Sequence, residues 1–147
     1  MTTFLKNRDM KFSFHLLLAC IALTACGESG KTTADYRIVP CPGEIAPGDG
    51  GDFELDARTR IVCTGDNDGM RANAEFLAGY VESVVGSAPE ITGPDGLCDD
   101  GRAVILRADA PGKGGEAYEI EVSENRITVS GESDAGVFYG IQTLRKA

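Results

Sequence analysis

Two stretches of the sequence have residue types and spacings that bind ligands in other proteins. The stretch ACGESGKT has the spacing of a relaxed phosphate-binding loop, at Ala25, Gly30, Lys31 and Thr32. Such a loop needs a strand before it and a helix N-terminus after it, so that backbone amides converge on the phosphate. Here an apolar leader segment precedes the stretch and no helical periodicity follows it. We therefore do not expect nucleotide binding there.

The run from Thr64 to Glu75 has part of the ligand pattern of a calcium loop. The third, fifth, sixth and twelfth positions are filled by Asp66, Asp68, Gly69 and Glu75. The first ligand would be the uncharged Thr64, however, and Arg71 brings a positive charge into the run. Helix capping explains Asp68 more simply. We therefore predict no metal site in this run.

Side chains suited to nucleophilic or acid–base catalysis are scarce. The single histidine, His15, lies in the leader. Once the leader is removed, the chain has no histidine for a Ser-His-Asp or Cys-His set. Asp99 and Asp100 are adjacent and point apart in most conformations. Glu119 and Glu121 share the solvent-facing side of a predicted strand. We predict no catalytic residue, no cofactor site and no metal site in this chain.

The first 25 residues have the order of a secretory signal. Lys11 is followed by an apolar run, Phe12 to Ala22, which is too short to span a bilayer as a permanent helix. The Leu-Thr-Ala-Cys sequence that ends at Cys26 resembles a bacterial lipobox, at which a peptidase cleaves before the cysteine and the new N-terminus is lipidated. We therefore expect a lipoprotein signal peptide at residues 1–25 and a lipid on Cys26. Met1 and Met10 are both candidate starts.

Length and charge limit the partners that this protein takes. The chain has 147 residues, 42% of them apolar, which is enough for one modest domain. Cleavage before Cys26 removes three basic residues and one acidic residue, and the net charge changes from −9 to −11. This charge repels nucleic acid phosphates and anionic lipid headgroups, so we expect no nucleic acid partner. Attachment to a membrane of the cell envelope, in the periplasm or at the cell surface, then rests on the Cys26 lipid alone.

Three cysteines remain in the mature chain, Cys41, Cys63 and Cys98. An oxidising compartment allows them one disulfide and one free thiol. No two of them have C-x-x-C spacing, and the sequence leaves the pairing open.

The mature chain begins with a flexible polar tether, residues 26–35, and continues as one domain, residues 36–147. Short strands are predicted at Tyr36–Val39, around Phe53 and Leu55, and at Ile61 and Val62. A helix follows from Asp68 to Val85, capped by Asn67 or Asp68 and closed by a left-handed Gly86. One face of this helix carries Ala72, Phe76, Leu77, Tyr80, Val81 and Val84.

Further strands and a second helix complete the domain. A short strand is predicted to begin at Glu90 and Ile91, and a continuously apolar strand at Ala103–Leu106 is predicted to be buried on both faces. Apolar and polar side chains alternate in Ala117–Val122 and again in Arg126–Ser130, so we predict that these two strands form an antiparallel hairpin. The last helix begins at Ser133 or Asp134, and its apolar residues are Val137, Phe138, Ile141 and Leu144.

These elements predict an α+β fold, a mixed α/β layer. One mostly antiparallel sheet should carry two helices packed on one face. The last helix contains Gly136 and Gly140, four residues apart, which lets its backbone approach the sheet closely. Two of the aromatic residues near the C-terminus, Tyr118 and Phe138, occupy core-facing positions, so we do not expect this domain to bind glycans.

The closing sequence resembles a known family. YEIEV from Tyr118, ITV from Ile127 and GESDAGVFYGIQTL from Gly131 closely resemble the end of the small domain that precedes the catalytic barrel in glycoside hydrolase family 20, the β-N-acetylhexosaminidases. The opening Ile38-Val-Pro40, Phe53-Glu-Leu55 and Thr59-Arg-Ile61 agree with this family's first strands. The similarity runs from about Tyr36 to Lys146. Related small domains precede family 84 enzymes and α-glucuronidases.

The resemblance implies a non-catalytic accessory domain of a lipoprotein β-N-acetylhexosaminidase. In that family the small domain packs against a (β/α)₈ barrel that carries an adjacent catalytic Asp and Glu, and no pair here matches them. We therefore expect a truncated, split or deliberately cut enzyme whose barrel is missing, with docking through the last helix at Phe138, Tyr139, Ile141 and Leu144. The alternative is a free-standing envelope lipoprotein module that binds a glycan or a partner protein.

Overall fold

The computed structural model describes residues 37, 42–46, 48, 51–97, 101–109 and 115–147. All of these residues belong to one compact unit, Ala34–Ala147. The predicted signal peptide, the lipidated Cys26 and the tether lie outside the described residues, as does the strand predicted at Tyr36–Val39 apart from Arg37. Within the described ranges, no helix is long and apolar enough to cross a membrane.

The described strands form one sheet of five in the order β2-β1-β3-β5-β4. Their bounds are β1 Arg60–Cys63, β2 Ile91–Thr92, β3 Ala103–Arg107, β4 Tyr118–Val122 and β5 Arg126–Gly131. The mixed α+β class is confirmed, but the prediction of a mostly antiparallel sheet is wrong. β1 pairs in parallel with β2 and β3, β3 pairs in parallel with β5, and only the β4–β5 hairpin is antiparallel. Strand β5 lies beside β3 and runs parallel to it, so β4 lies at the edge of the sheet and pairs with β5 alone. The hairpin therefore adds a single antiparallel pairing.

The two helices begin where the sequence predicts. Helix α1, Asp68–Val85, connects β1 to β2, and Asn67 caps it by accepting a hydrogen bond from the Met70 amide at 2.8 Å. It ends at Gly86, whose φ of 84° is the left-handed conformation that glycine adopts without strain. Helix α2, Asp134–Leu144, follows β5 and is capped by the Ser133 hydroxyl. A short 3₁₀ turn, Pro94–Gly96, links β2 to β3.

Both helices pack on one face of the sheet, as predicted. Alternate strand residues on this face join the inner sides of α1 and α2 in one core, made of Ile61, Met70, Ala74, Leu77, Val81, Val104, Leu106, Ile127, Val129, Val137 and Ile141. Each large apolar side chain that is fully buried in this way contributes about 1.5–3 kcal/mol. The opposite face has a smaller buried cluster of Val62, Ala103 and Ile105. Strand β3 is therefore buried on both faces, which confirms that prediction.

Helix α1 is rotated from its predicted orientation. Its buried residues are Met70, Asn73, Ala74, Leu77 and Val81. Three residues predicted to face the core are exposed, namely Ala72, Phe76 (38%) and Val84 (59%). The polar Asn73 takes a buried position because its side-chain amide donates to the backbone carbonyl of Asp134 at 2.8 Å. This hydrogen bond removes the cost of burying a polar group.

The segment around Phe53 and Leu55 is not a strand, so that prediction is wrong. Both side chains are nevertheless partly buried against the main core. Phe53 and Leu55 alternate with polar residues because they contact the core from a segment that has no regular secondary structure.

Glycines bring α2 close to the sheet. A β-carbon added at Gly140 would lie 2.5 Å from Cγ1 of Val129 and 3.3 Å from Cδ2 of Tyr118. A β-carbon added at Gly136 would overlap the carbonyl oxygen of Ala117. Only glycine allows this approach, which confirms the packing role predicted for the pair.

Candidate functional site

Hydrogen bonds at both ends of the helix pair hold α1 and α2 side by side. At the N-terminal ends, Nδ2 of Asn67 donates to Oδ1 of Asp134 at 3.3 Å and Nδ2 of Asn73 donates to the Asp134 carbonyl. At the C-terminal ends, the Tyr80 hydroxyl donates to the Arg145 carbonyl at 3.3 Å. The two helices are therefore parallel, and they present one shared outer surface away from the sheet.

Three of the four residues predicted to dock against a partner retain exposed surface. The side chain of Tyr139 is 43% exposed, and those of Phe138 and Leu144 are partly buried. Ile141 is 0% exposed and lies in the domain's own core. Including Ile141 among the docking residues was therefore wrong, because a side chain already buried in the fold has no surface to offer a partner.

A row of aromatic rings crosses the outer side of the two helices. The Phe76 and Phe138 ring centroids are 5.5 Å apart at an interplanar angle of 46°. The Phe138 and Tyr139 rings are 5.8 Å apart at 67°, an edge-to-face arrangement. Such pairs contribute about 0.5–1.5 kcal/mol beyond their buried area. The row therefore has a fixed shape in the domain itself.

Arg145 extends this row beyond Phe76. Its guanidinium carbon lies 4.9 Å from the ring centroids of both Phe76 and Tyr80. NH1 donates to Oε1 of Gln142 at 3.2 Å, whereas Nε is buried and has no hydrogen-bond partner in the part of the chain that the structure describes. The cation is thus held by two aromatic faces and a single side-chain acceptor.

We call Phe76, Tyr80, Phe138, Tyr139 and Arg145 the aromatic surface. Tyrosine, phenylalanine and arginine are enriched at the centres of protein interfaces. The surface contains no carboxylate, thiol or imidazole that would act in catalysis. Its composition therefore suits contact with another protein surface.

Sequence reasoning missed Phe76, Tyr80 and Arg145 as members of this surface. Phe76 and Tyr80 are four residues apart on α1, and the sequence pattern assigned both of them to the core. The sequence does contain a sign of Phe76 and Tyr80 in this role. Residues 72 to 84 of α1 contain more apolar side chains than the side of the helix that faces the sheet can bury, so some of them must lie on another face. The position of Arg145 depends on the parallel docking of α2 on α1, which no local pattern encodes.

A groove of about 390 Å³ lies where β1 and β2 end and α1 begins, and Cys63, Asn67, Arg71 and Thr92 are among its lining residues. It contains part of the calcium-like run. Asp66 there pairs with Arg71 at 3.4 Å, and Asp68 lies in the first turn of α1. No group of three His, Cys, Asp or Glu side chains comes together within the described residues.

Cys63 is a free, partly buried thiol, and its burial raises the pKa of that thiol. A thiol with a raised pKa is a poor nucleophile at neutral pH. Cys41 and Cys98 lie outside the described residues, so the disulfide among the three cysteines stays a prediction.

Ion pairs fix the turn that leads into β1. The Asp56 carboxylate accepts hydrogen bonds from the Arg58 amide at 2.9 Å and from NH1 of Arg102 at 2.8 Å. The Arg58 guanidinium also reaches it at 2.8 Å. Mainly because of the Arg58 side-chain hydrogen bond, with Arg102 adding its charge, the pKa of Asp56 lies below its usual value. The cluster lies next to the N-terminal ends of β1 and β3, whereas the groove lies at the C-terminal end of β1.

Comparison with known proteins decides the family. Residues 35–147 match the family described as glycosyl hydrolase family 20, domain 2. The chain belongs to this family. The match covers every described element, including both helices of the aromatic surface.

Relatives with known names agree with this assignment. The chain is 26% identical to the beta-hexosaminidase of Porphyromonas gingivalis (strain ATCC BAA-308 / W83) over 143 residues, which is 91% of this chain and 18% of that protein. The structure of the GH20 beta-N-acetylhexosaminidase from Streptomyces coelicolor A3(2) is similar with a TM-score of 0.64 and 26% identity, over 75% of this chain and 21% of that one.

A second Streptomyces enzyme gives the same result. The N-acetyl-beta-hexosaminidase of Streptomyces plicatus matches with a TM-score of 0.59 and 25% identity, over 76% of this chain and 21% of that one. The chain therefore spans about a fifth of the length of the relatives that it matches. It corresponds to the accessory domain 2 of these enzymes.

Proposed function

We propose that this chain is the non-catalytic accessory domain of a lipoprotein β-N-acetylhexosaminidase and that its aromatic surface packs against the catalytic (β/α)₈ barrel of that enzyme. The observation that supports the proposal best is the aromatic surface itself. Tyr139 and Phe76 are 43% and 38% exposed on a domain whose core is already complete. Adjoining exposed aromatic side chains of this kind mark interaction sites on soluble domains.

The size of the relatives supports a partner in the same polypeptide. They are named as hexosaminidases, and about four fifths of their length lies outside the region that matches this chain. A (β/α)₈ barrel needs about 250 residues. The remainder of these proteins thus has room for the barrel that the aromatic surface would contact.

A domain exchange tests the docking. In the Streptomyces coelicolor enzyme, the segment that aligns with this chain is replaced by residues 35–147. If the aromatic surface packs against the rest of the enzyme, the chimera unfolds in one calorimetric transition, and Phe76→Ser with Tyr139→Ser splits that transition in two. Val122→Ser is the matched control, because Val122 is 48% exposed on β4 and lies outside the aromatic surface. Two transitions in the unmodified chimera would contradict the proposal.

The lack of catalysis is tested on the chain itself. We expect the purified chain not to hydrolyse a chromogenic N-acetyl-β-glucosaminide, because no pair in its sequence matches the adjacent Asp and Glu that the resemblance places in the catalytic barrel. Release of the chromophore at a rate that scales with the chain's concentration, and that persists through purification, would contradict this expectation.

The membrane part of the proposal rests on the lipobox-like sequence at Cys26. In this part of the proposal, the protein lies at the cell envelope and the lipid on Cys26 holds it in the membrane. In a bacterial host supplied with labelled palmitate, the wild-type chain should take up the label and Cys26→Ser should not. Equal labelling of the two proteins would remove the anchor from the proposal and leave the docking unaffected.

A further inference from the structure

We propose that Arg145 anchors the aromatic surface by pairing with a carboxylate side chain of the catalytic domain. The inference rests on the proposed function and adds to it the chemistry of the partner at one point of the contact. It predicts that docking combines apolar burial along the ring row with one ion pair at its end.

The environment of Arg145 differs from that of other arginines in the domain. Five arginines in the described ranges have an acidic side chain within ion-pair distance, namely Arg58, Arg60, Arg71, Arg102 and Arg107. Arg145 has none among the described residues, although the chain carries 23 acidic residues against 14 basic ones. An arginine that has no carboxylate partner among the described residues of so acidic a protein indicates that its counter-ion comes from another surface.

The guanidinium is also held in place for such a partner. Phe76 and Tyr80 lie at 4.9 Å from its central carbon, and Gln142 accepts from NH1. Because its plane is fixed, little side-chain entropy remains to be lost when a carboxylate binds. Planar forked recognition is the geometry in which arginine and carboxylate form their strongest hydrogen bonds.

Burial within the domain limits which nitrogens of Arg145 a partner can reach. The side chain is partly exposed, but its Nε is buried and has no hydrogen-bond acceptor among the described residues. A carboxylate of the partner would therefore accept from the terminal nitrogens of the guanidinium.

The chimera with the Streptomyces coelicolor enzyme tests this inference through Arg145→Met, which keeps the length and the apolar contacts of the side chain but removes the charge. The matched control is Arg107→Met, because Arg107 ends β3 on the opposite face of the sheet and pairs with Asp109. Both variants are also made in the isolated chain, where no partner is present.

We expect Arg145→Met to lower the free energy of unfolding of the chimera more than that of the isolated chain at low salt, each value being calculated from the protein's own calorimetric enthalpy and midpoint. The extra loss should shrink in 1 M NaCl, which screens an ion pair, and Arg107→Met should show no extra loss. Equal losses in chimera and isolated chain, with the chimera still unfolding in one transition, would overturn the carboxylate inference and leave the docking intact. Two transitions in the unmodified chimera would overturn the docking and this inference with it.

Discussion

The close approach of α2 to the sheet leads to a specific prediction for Gly140→Ala. An added β-carbon would lie 2.5 Å from Cγ1 of Val129, whereas real β-carbons essentially never come within 3.0 Å of another heavy atom. Val129 is fully buried and β-branched, so its χ1 has no free rotamer to take up the contact. Tyr118 restricts the site further, because its hydroxyl is hydrogen-bonded to that of Thr143 at 2.6 Å.

Two opposing effects set the size of the change. Alanine in a helix interior is favoured over glycine by about 1 kcal/mol. Overpacking a rigid core site costs about 1–3 kcal/mol. We therefore expect Gly140→Ala to lower the free energy of unfolding by about 1 kcal/mol, the balance of these two terms.

Gly79→Ala is the matched control. Gly79 lies in the interior of α1, and an added β-carbon there would meet no atom of the described residues within 4 Å. Only the helix-propensity gain applies, so this variant should raise the free energy of unfolding by about 1 kcal/mol. Urea denaturation monitored by circular dichroism measures both changes as shifts of the midpoint at constant slope. If both substitutions stabilise the domain equally, the proposed contact between α2 and the sheet is refuted.

Two further changes test other parts of the domain. Asn73→Ala removes the hydrogen bond to the Asp134 carbonyl and should lower the free energy of unfolding by about 1–3 kcal/mol. A urea midpoint equal to that of the parent would show that this bond does not join the helices. Asp56→Asn should destabilise the domain at pH 7. The difference in free energy of unfolding from the parent should vanish as the pH falls from about 4 through the pKa of Asp56. The reason is that a carboxylate whose pKa is lowered on folding stabilises the fold only while it is ionised. A difference that stays constant in urea titrations down to pH 2 would contradict this assignment.

Local sequence patterns predicted the elements with strong local signals. Asn67 and Ser133 have side chains that cap a helix by contacts within three residues, and Gly86 supplies a left-handed residue. Strand β3 could be placed because a short, continuously apolar run is typical of a strand buried on both faces. These features depend on neighbours in sequence, so the sequence is sufficient to predict them.

Features that depend on distant contacts were predicted less well. The direction of β5 follows from its position beside β3, and nothing within the hairpin encodes that choice. The rotation of α1 buries Asn73, whose hydrogen-bond partner, the Asp134 carbonyl, lies 61 residues away in the sequence. For the same reason the terminal motif identified Phe138 and Tyr139, whereas Phe76 and Arg145 join them only through the packing of the two helices.

If the proposed docking is right, the rest of a hexosaminidase covers the aromatic surface. Hydroxyl-radical footprinting with mass spectrometry measures this coverage most directly, by comparing side-chain oxidation in the isolated chain and in the chimera. We predict that oxidation of Tyr139 and Phe76 falls in the chimera, while that of Val122 and Ile91, which are 48% and 41% exposed elsewhere on the domain, stays the same. Equal oxidation of Tyr139 and Phe76 in the two proteins would contradict the account.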